Sequence, residues 1–375
     1  MPRTALLCLP LLALAPVLTA CGTGPTAAST APADGGRVTV TASDDACALS
    51  RTELTEGRNV FAVTNEGSQV TEVYLYADGD RIVTEKEGIT PGLSYELTTQ
   101  VPAGTYEVAC KPGMTGDGIR TTVTVAAAAS SAPVDPAASQ AVADYRAHVQ
   151  QQADALVPLV RRFAAAVKAG DVAQAKALYA PSRAPWETIE PVAEAFGDLD
   201  PRTDLREADL EPGQEWTGWH RLEKALWVTG STAGLDAVAD QLVADVVDLQ
   251  GRVQHADLSP SSIGNGAKEL LDEVATGKVT GEEEAFSHTD LVDVDANVRG
   301  AQQALDVLRP MVGDAALLTE LDRGFAGVER VLVLHRRGDG YVSYDTVTPA
   351  QRRVLAQAVD ALGEPLSRLA AAATS

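Results

Sequence analysis

The hydrophobic pattern of this chain changes its period once, and that change limits the possible folds more than any other feature. From Arg37 to Ala126 apolar residues alternate in short runs: "RVTVTASD", "NVFAVTNEG", "EVYLYADGDRIV", "LSYELTTQVPAGTYEVAC" and "IRTTVTVA". Asn, Gly, Pro and Asp punctuate them. A two-residue period rich in Val, Thr and Tyr predicts half-buried strands, here packed as a small all-β sandwich over residues 37–126. After Gln140 the runs are long, rich in Ala, Leu and Val, and amphipathic, as in "VADYRAHVQQQADALVPLVRRFAAAVKAG" and "PAQRRVLAQAVDALGEPLSRLAAAA". With Gly and Pro read as falling between these runs, residues 140–375 predict an all-α bundle of antiparallel helices. The small-residue stretch 127–139 is the linker.

The N-terminus predicts export. Arg3, the apolar run Ala5 to Val17 and the small residues up to Ala20 have the layout of a signal peptide over residues 1–20. The tetrad Leu18-Thr19-Ala20-Cys21 resembles a bacterial lipobox, which implies that Cys21 is lipidated and anchors an extracytoplasmic protein to the cell membrane. Residues 21–36 read as a flexible tether. No later segment is long and apolar enough to span a bilayer. Cys8 then leaves with the leader, so Cys47 and Cys110 remain as an even pair in an oxidising compartment, where a disulfide is the default.

Charge narrows the partners. The 375 residues include 52 acids and 30 bases, a net charge of −22, which argues against nucleic acid and for cations. The surplus is concentrated between Pro185 and Glu215, with ten acids against two bases. It runs into "EWTGWHRLEKALW", residues 215–227. At about 100° per residue, Trp216, His220, Glu223 and Trp227 fall within about 60° of one another. A buried carboxylate there costs several kcal/mol unless a base, a hydrogen-bond network or a metal ion compensates it. Residues three apart share a helix face, so His220 and Glu223 can converge on one ion. One imidazole among carboxylates suits iron or manganese more than copper(I) or structural zinc.

The run "PWETIEPVAEAFGDLDPRTDLREADLEPGQEWTGWHRLEKALW", followed by "GEEEAFSHTDLVDVDANVRGAQ", resembles the imelysin-type domain with its His-x-x-Glu motif. The order of lipobox, small β domain and helical domain is similar to that of EfeO-type iron uptake lipoproteins. That resemblance implies an iron cargo, Fe2+ or Fe3+, and Cu2+ or Zn2+ are the alternative ions. The ligands it implies are His220, Glu223, Glu187, Asp200 and Glu283, with Glu190, Asp198, Glu282 and Glu284 as the alternatives within their clusters and His288 and Asp290 supporting them. It also implies membrane partners, an EfeU-like iron permease and an EfeB-like haem peroxidase.

The β domain resembles the family's cupredoxin-like domain. Residues 37–126 contain no histidine, whereas a blue-copper centre needs two. Cys47, Cys110 and Glu72 are therefore either a second metal site or a disulfide beside a glutamate. The His-x-x-Glu motif lacks the second histidine of zincins and inverzincins, and di-iron bundles need two Glu-x-x-His turns. These absences favour a binding protein over a metallopeptidase, with a carbohydrate- or polyanion-binding surface module as the other alternative.

Overall fold

A computed structural model describes residues 36–129 and 135–375. The signal peptide, the lipidation residue Cys21, most of the tether and linker residues 130–134 lie outside the described residues.

The strands are β1 (Arg37–Ala42), β2 (Cys47–Leu49), β3 (Glu53–Thr55), β4 (Gly57–Asn65), β5 (Thr71–Ala77), β6 (Arg81–Ile89), β7 (Ser94–Val101), β8 (Gly104–Pro112) and β9 (Ile119–Ala126). They form two sheets, ordered β2-β1-β4-β7 and β3-β9-β8-β5-β6. Alternation does what the sequence predicts: Val38, Val40, Phe61, Val63, Val73, Leu75, Leu97, Val108 and Val123 point into one core. Cys47 on the first sheet and Cys110 on the second are joined as a disulfide. Their thiols are consumed, so of the two readings left open for Cys47, Cys110 and Glu72 the structure has the disulfide. The Glu72 carboxylate accepts a hydrogen bond from the Tyr74 hydroxyl at 3.1 Å.

The helical region comprises α1 (Pro136–Lys168), α2 (Val172–Glu194), α3 (Asp200–Thr203), α4 (Gly218–Lys224), α5 (Asp236–Arg252), α6 (Pro260–Glu273), α7 (Asp290–Leu308), α8 (Ala315–Val333), α9 (Pro349–Leu366) and α10 (Leu369–Ala372). Proline does not always separate these helices as the sequence suggested, because Pro158 lies inside α1 and Pro181, Pro185 and Pro191 inside α2. A proline interrupts a helix by leaving the carbonyl four residues earlier without its donor. At Pro191 that carbonyl belongs to Glu187, and the Asn297 side chain of α7 donates to it at 2.8 Å. The two helices come this close because α7 has Gly300, where a Cβ would stand 2.3 Å from the Thr188 carbonyl oxygen.

Helix α6 joins the two halves. Asn265 donates to Thr84 Oγ1 at 3.0 Å and to the Thr98 carbonyl at 2.9 Å, and Ser261 accepts from the Gln100 amide at 2.8 Å. Strand β5 is buried on both faces, with Val73 and Leu75 inward and Glu72, Tyr74 and Tyr76 outward but covered. Burial raises Glu72 to about 7, with the Glu87 charge adding to it, and raises Glu269 of α6 to about 8. Both groups fold more favourably protonated. Their contribution is complete below the ordinary value of 4.5 and is lost as pH rises through about 7 to 8. Calorimetry in chelator is expected to show Tm falling by several degrees between about pH 5 and pH 8. A flat profile would contradict this reading.

Candidate metal centre

Four segments converge beside α2. That helix presents Arg183, Glu187 and Glu190 on one face, at spacings of four and three residues. The segment after α3 supplies Asp204, α4 supplies His220 and Glu223, and the loop before α7 supplies Glu283 and Glu284. Helix α7 adds Asp293 and Asn297, which share a face with Asp290 at its start.

Gly218 sets the approach of α4. It has φ of 80°, and a Cβ there would lie 2.0 Å from the Thr203 carbonyl oxygen. This contact brings Asp204 beside His220. Gly218→Ala combines left-handed strain with a backbone clash and is expected to cost about 3 kcal/mol. The drop in Tm should be on the order of 10 °C, while Gly251→Ala, which meets open space, should change little. Equal melting temperatures for the two variants would refute the contact's role.

His220 is nearly fully buried and ringed by acids. Its Nδ1 lies 3.2 Å from Glu223, and its Nε2 lies 3.3 Å from Asp204 and 3.4 Å from Glu283. Burial and the Arg183 charge oppose a protonated ring, but hydrogen bonds to Asp204, Glu223 and Glu283 prevail and hold its pKa well above the ordinary value. Glu223 Oε1 accepts the backbone N–H groups of Phe286 and Ser287 at 3.0 and 2.7 Å, which ties the Glu283 loop to α4.

Two permanent cations share the carboxylates. Arg183 has no exposed surface and pairs with Glu187, Asp204, Glu284 (2.7 Å), Glu283 (3.5 Å) and Asp293 (3.8 Å). Lys278 ends a π-helical turn (Val274–Lys278) that continues α6, and it reaches Glu187 at 2.8 Å, Glu273 at 3.0 Å and Glu190 at 3.2 Å. Burial works against both carboxylates beside His220. Even so, Arg183 and His220 hold Asp204 well below the carboxylate range, while Lys278 and His220 bring Glu283 down to about 2. Glu284 goes the other way, pushed up to about 8 chiefly by burial. Seven carboxylates (Glu187, Glu190, Asp204, Glu273, Glu283, Glu284 and Asp293) thus pair with Arg183 or Lys278.

Of the residues singled out in the sequence, His220, Glu223 and Glu283 meet here, and Glu187 joins through Arg183 and Lys278. Asp200 does not take the place given to it. It begins α3 and lines a different cavity with Tyr74, Glu85 and Glu194, while Asp204, one turn further on, faces His220. Asp290 is buried and accepts the Glu284 amide at 3.3 Å, whereas the His288 backbone (φ 57°) carries the turn and its carbonyl accepts the Tyr344 amide. Trp216 precedes α4, donates to the Leu205 carbonyl and is half-buried; Trp219 instead is fully buried, against Trp186.

Sequence reasoning missed Arg183, Lys278, Asp204 and Asp293, whereas Glu284 was among the acids it left open. Arg183 had a readable signal, standing four residues before Glu187 on an otherwise apolar stretch. Asp290, Asp293 and Asn297 had another in their helical spacing.

The donors fit a cation. Asp204, His220 and Glu283 offer atoms all within 4.8 Å of one another, as do His220, Glu223 and Glu284. Both Asp293 carboxylate oxygens are buried without a hydrogen-bond partner. A cleft of about 230 Å³, lined by Arg206, His220, Glu223, Glu282, Glu283 and Phe286, opens onto the cluster. The chemistry available is capture of a hard or borderline cation by oxygen and one imidazole nitrogen.

Comparison with known proteins finds two families along the chain. The imelysin family matches residues 141–369, and the cupredoxin-like domain family matches residues 11–125. "Iron uptake system component EfeO" of Escherichia coli O157:H7 is 40% identical over 344 residues, covering 90% of this chain and 91% of that protein. The proteins of the same description from Escherichia coli K12 and Shigella flexneri are each 39% identical over the same shares.

Proposed function

The chain belongs to the imelysin family, among its EfeO-type iron uptake components, and from that premise we propose that it captures iron at the His220 cluster outside the cytoplasm. It is a binding component of an uptake system and not an enzyme. One observation carries the reading: an open cleft ends on His220, whose two ring nitrogens face Glu223 on one side and Asp204 and Glu283 on the other. The proposed ligands are His220, Glu223, Glu283 and Asp204, with Glu187 close behind. Asp293 and Glu284 supply negative charge around them.

In this reading the captured ion, ferrous or ferric, passes to an EfeU-like membrane permease, with an EfeB-like haem peroxidase as the other partner. A lipid on Cys21 would keep the carrier near the membrane. Among the described residues no helix is long and apolar enough to cross a bilayer.

The test is a titration of metal-free protein with Fe(III), Fe(II), Cu(II) and Zn(II), repeated with His220→Ala and Glu223→Ala. Loss of a ligand should weaken iron binding at least tenfold to a hundredfold. Glu223→Ala should also free the 282–288 loop, read as faster amide exchange at Phe286 and Ser287. Unchanged affinity in both variants would remove the proposed site.

A further inference from the structure

We propose that Arg206 gates the His220 cleft: its guanidinium holds the outer oxygen of Glu283 until a divalent or trivalent cation enters, and then moves wholly onto Asp209. The inference rests on the iron reading and deepens it by naming the residue that governs entry. Among the described residues lining the cleft, Arg206 is the one arginine or lysine. Side-chain exposure falls from 31% at Arg206 through 12% at Glu283 to 2% at His220, so an ion arriving from solvent meets the guanidinium first.

The carboxylate of Glu283 is divided between an inner and an outer set of partners. Its Oε1 faces His220 Nε2 at 3.4 Å and Arg183 at 3.5 Å, while its Oε2 takes Arg206 Nη1 at 3.5 Å. The same guanidinium donates from Nε to Asp209 at 2.6 Å. Of its two acids Asp209 is thus held at hydrogen-bond distance and Glu283 at the edge of it, so letting go of Glu283 gives up the weaker contact. Gly277 leaves room for the arrangement, because a Cβ there would lie 3.3 Å from Arg206 Nη1 and 3.5 Å from Glu283 Oε2. Arg183 is built differently: it has no exposed surface and is fixed among five acids.

Glu283 belongs with Asp204 and His220 to a group whose ligand atoms lie within 4.8 Å of one another. A cation held there draws on the charge that Arg206 partly neutralises. Coulomb attraction grows with the charge of the ion, so an ion of two or three charges displaces one guanidinium from Glu283, whereas a monovalent ion has no such advantage. The other base near the mouth, Lys224, is paired with Glu207. Arg206 is therefore the charge that an entering ion must move.

The test is stopped-flow binding of Fe(II) to the full chain, read by quenching of tryptophan fluorescence at high salt, where long-range attraction is screened. Arg206→Met should bind Fe(II) about fivefold more tightly, chiefly through faster association, which is what releasing one partly exposed ion pair returns. Arg206→Lys, which keeps the charge, should stay near the parent. Asp209→Asn should act in the opposite sense, slowing and weakening binding, because the guanidinium then has only Glu283 to hold. Asp209 is 45% exposed, so this variant folds whether or not Arg206→Met does. Arg221→Met makes the same change in net charge on α4 but touches none of the ligands, and should leave the rate within about twofold of the parent. Parental binding by Arg206→Met, an equal gain in Arg206→Met and Arg221→Met, or faster binding by Asp209→Asn would overturn the gate. His220→Ala in the same series separates the two readings: if it alone abolishes binding, only the gate falls, and if it binds as the parent does, the site falls and takes the gate with it.

Discussion

Arg183→Met is expected to leave the protein unable to hold its helical region together in chelator at neutral pH, and bound metal is expected to restore part of the loss. The guanidinium is fully buried and neutralises Glu187, Asp204 and Glu284 directly, with Glu283 and Asp293 at its edge. Removing one partner of a buried ion pair typically costs about 3–5 kcal/mol, because the other charge is left in a poor solvent. Here one cation serves five carboxylates, so the cost should reach or exceed the upper end of that range. Set against a whole-protein stability of about 5–15 kcal/mol, it is large enough to unfold the chain or leave it barely folded.

Methionine nearly fills the space of the arginine stem, so the effect would be one of charge and not of volume. A cation bound at the His220 cluster would supply part of the missing charge. At roughly 100 times its dissociation constant it would return about 2.7 kcal/mol. The measurement is a pair of thermal melts followed by circular dichroism, in chelator and with Fe(II). A variant that melts in chelator within a few degrees of the parent would show that the carboxylates are neutralised by protons instead. A low melting temperature indifferent to iron would separate Arg183 from the metal site.

The two-part architecture was legible because it depends on period. Val38, Val40 and Ala42 alternate on β1, and Leu242, Val246 and Leu249 repeat at helical spacing on α5, whatever the rest of the chain does. The His220–Glu223 pair was legible for the same reason, since both residues sit on one turn of one helix. Asp204 was not. It stands 16 residues before His220, and what unites them is a backbone contact that only the absence of a side chain at Gly218 permits. Asp200, one turn before Asp204, lines the cavity toward the sandwich. Arg183 and Lys278 were missed because a search for ligands passes over bases, although a cluster this acidic cannot be buried without them.

The second large effect is expected in the other half of the molecule. Replacing both Cys47 and Cys110 by alanine opens a covalent loop spanning 63 residues. In the chain-entropy account, closing a loop of that size lowers the entropy of the unfolded chain enough to be worth about 4 kcal/mol at 25 °C. The bond also ties β2 of one sheet to β8 of the other, so its loss frees the sheets to separate. The core between them is small, with Val38, Val40, Phe61, Val73 and Val108 among its main members, and small cores leave little margin. The sandwich of the double variant should therefore unfold in a separate, lower transition, at least 10 °C below the parent. Iron affinity at His220 should stay within about twofold, because no residue of the sandwich belongs to that cluster. A single unshifted transition would show that the contacts of α6 with Thr84, Thr98 and Gln100 hold the sandwich without the bond. Iron binding lost together with the sandwich would show instead that the helical region cannot keep its carboxylates in place alone.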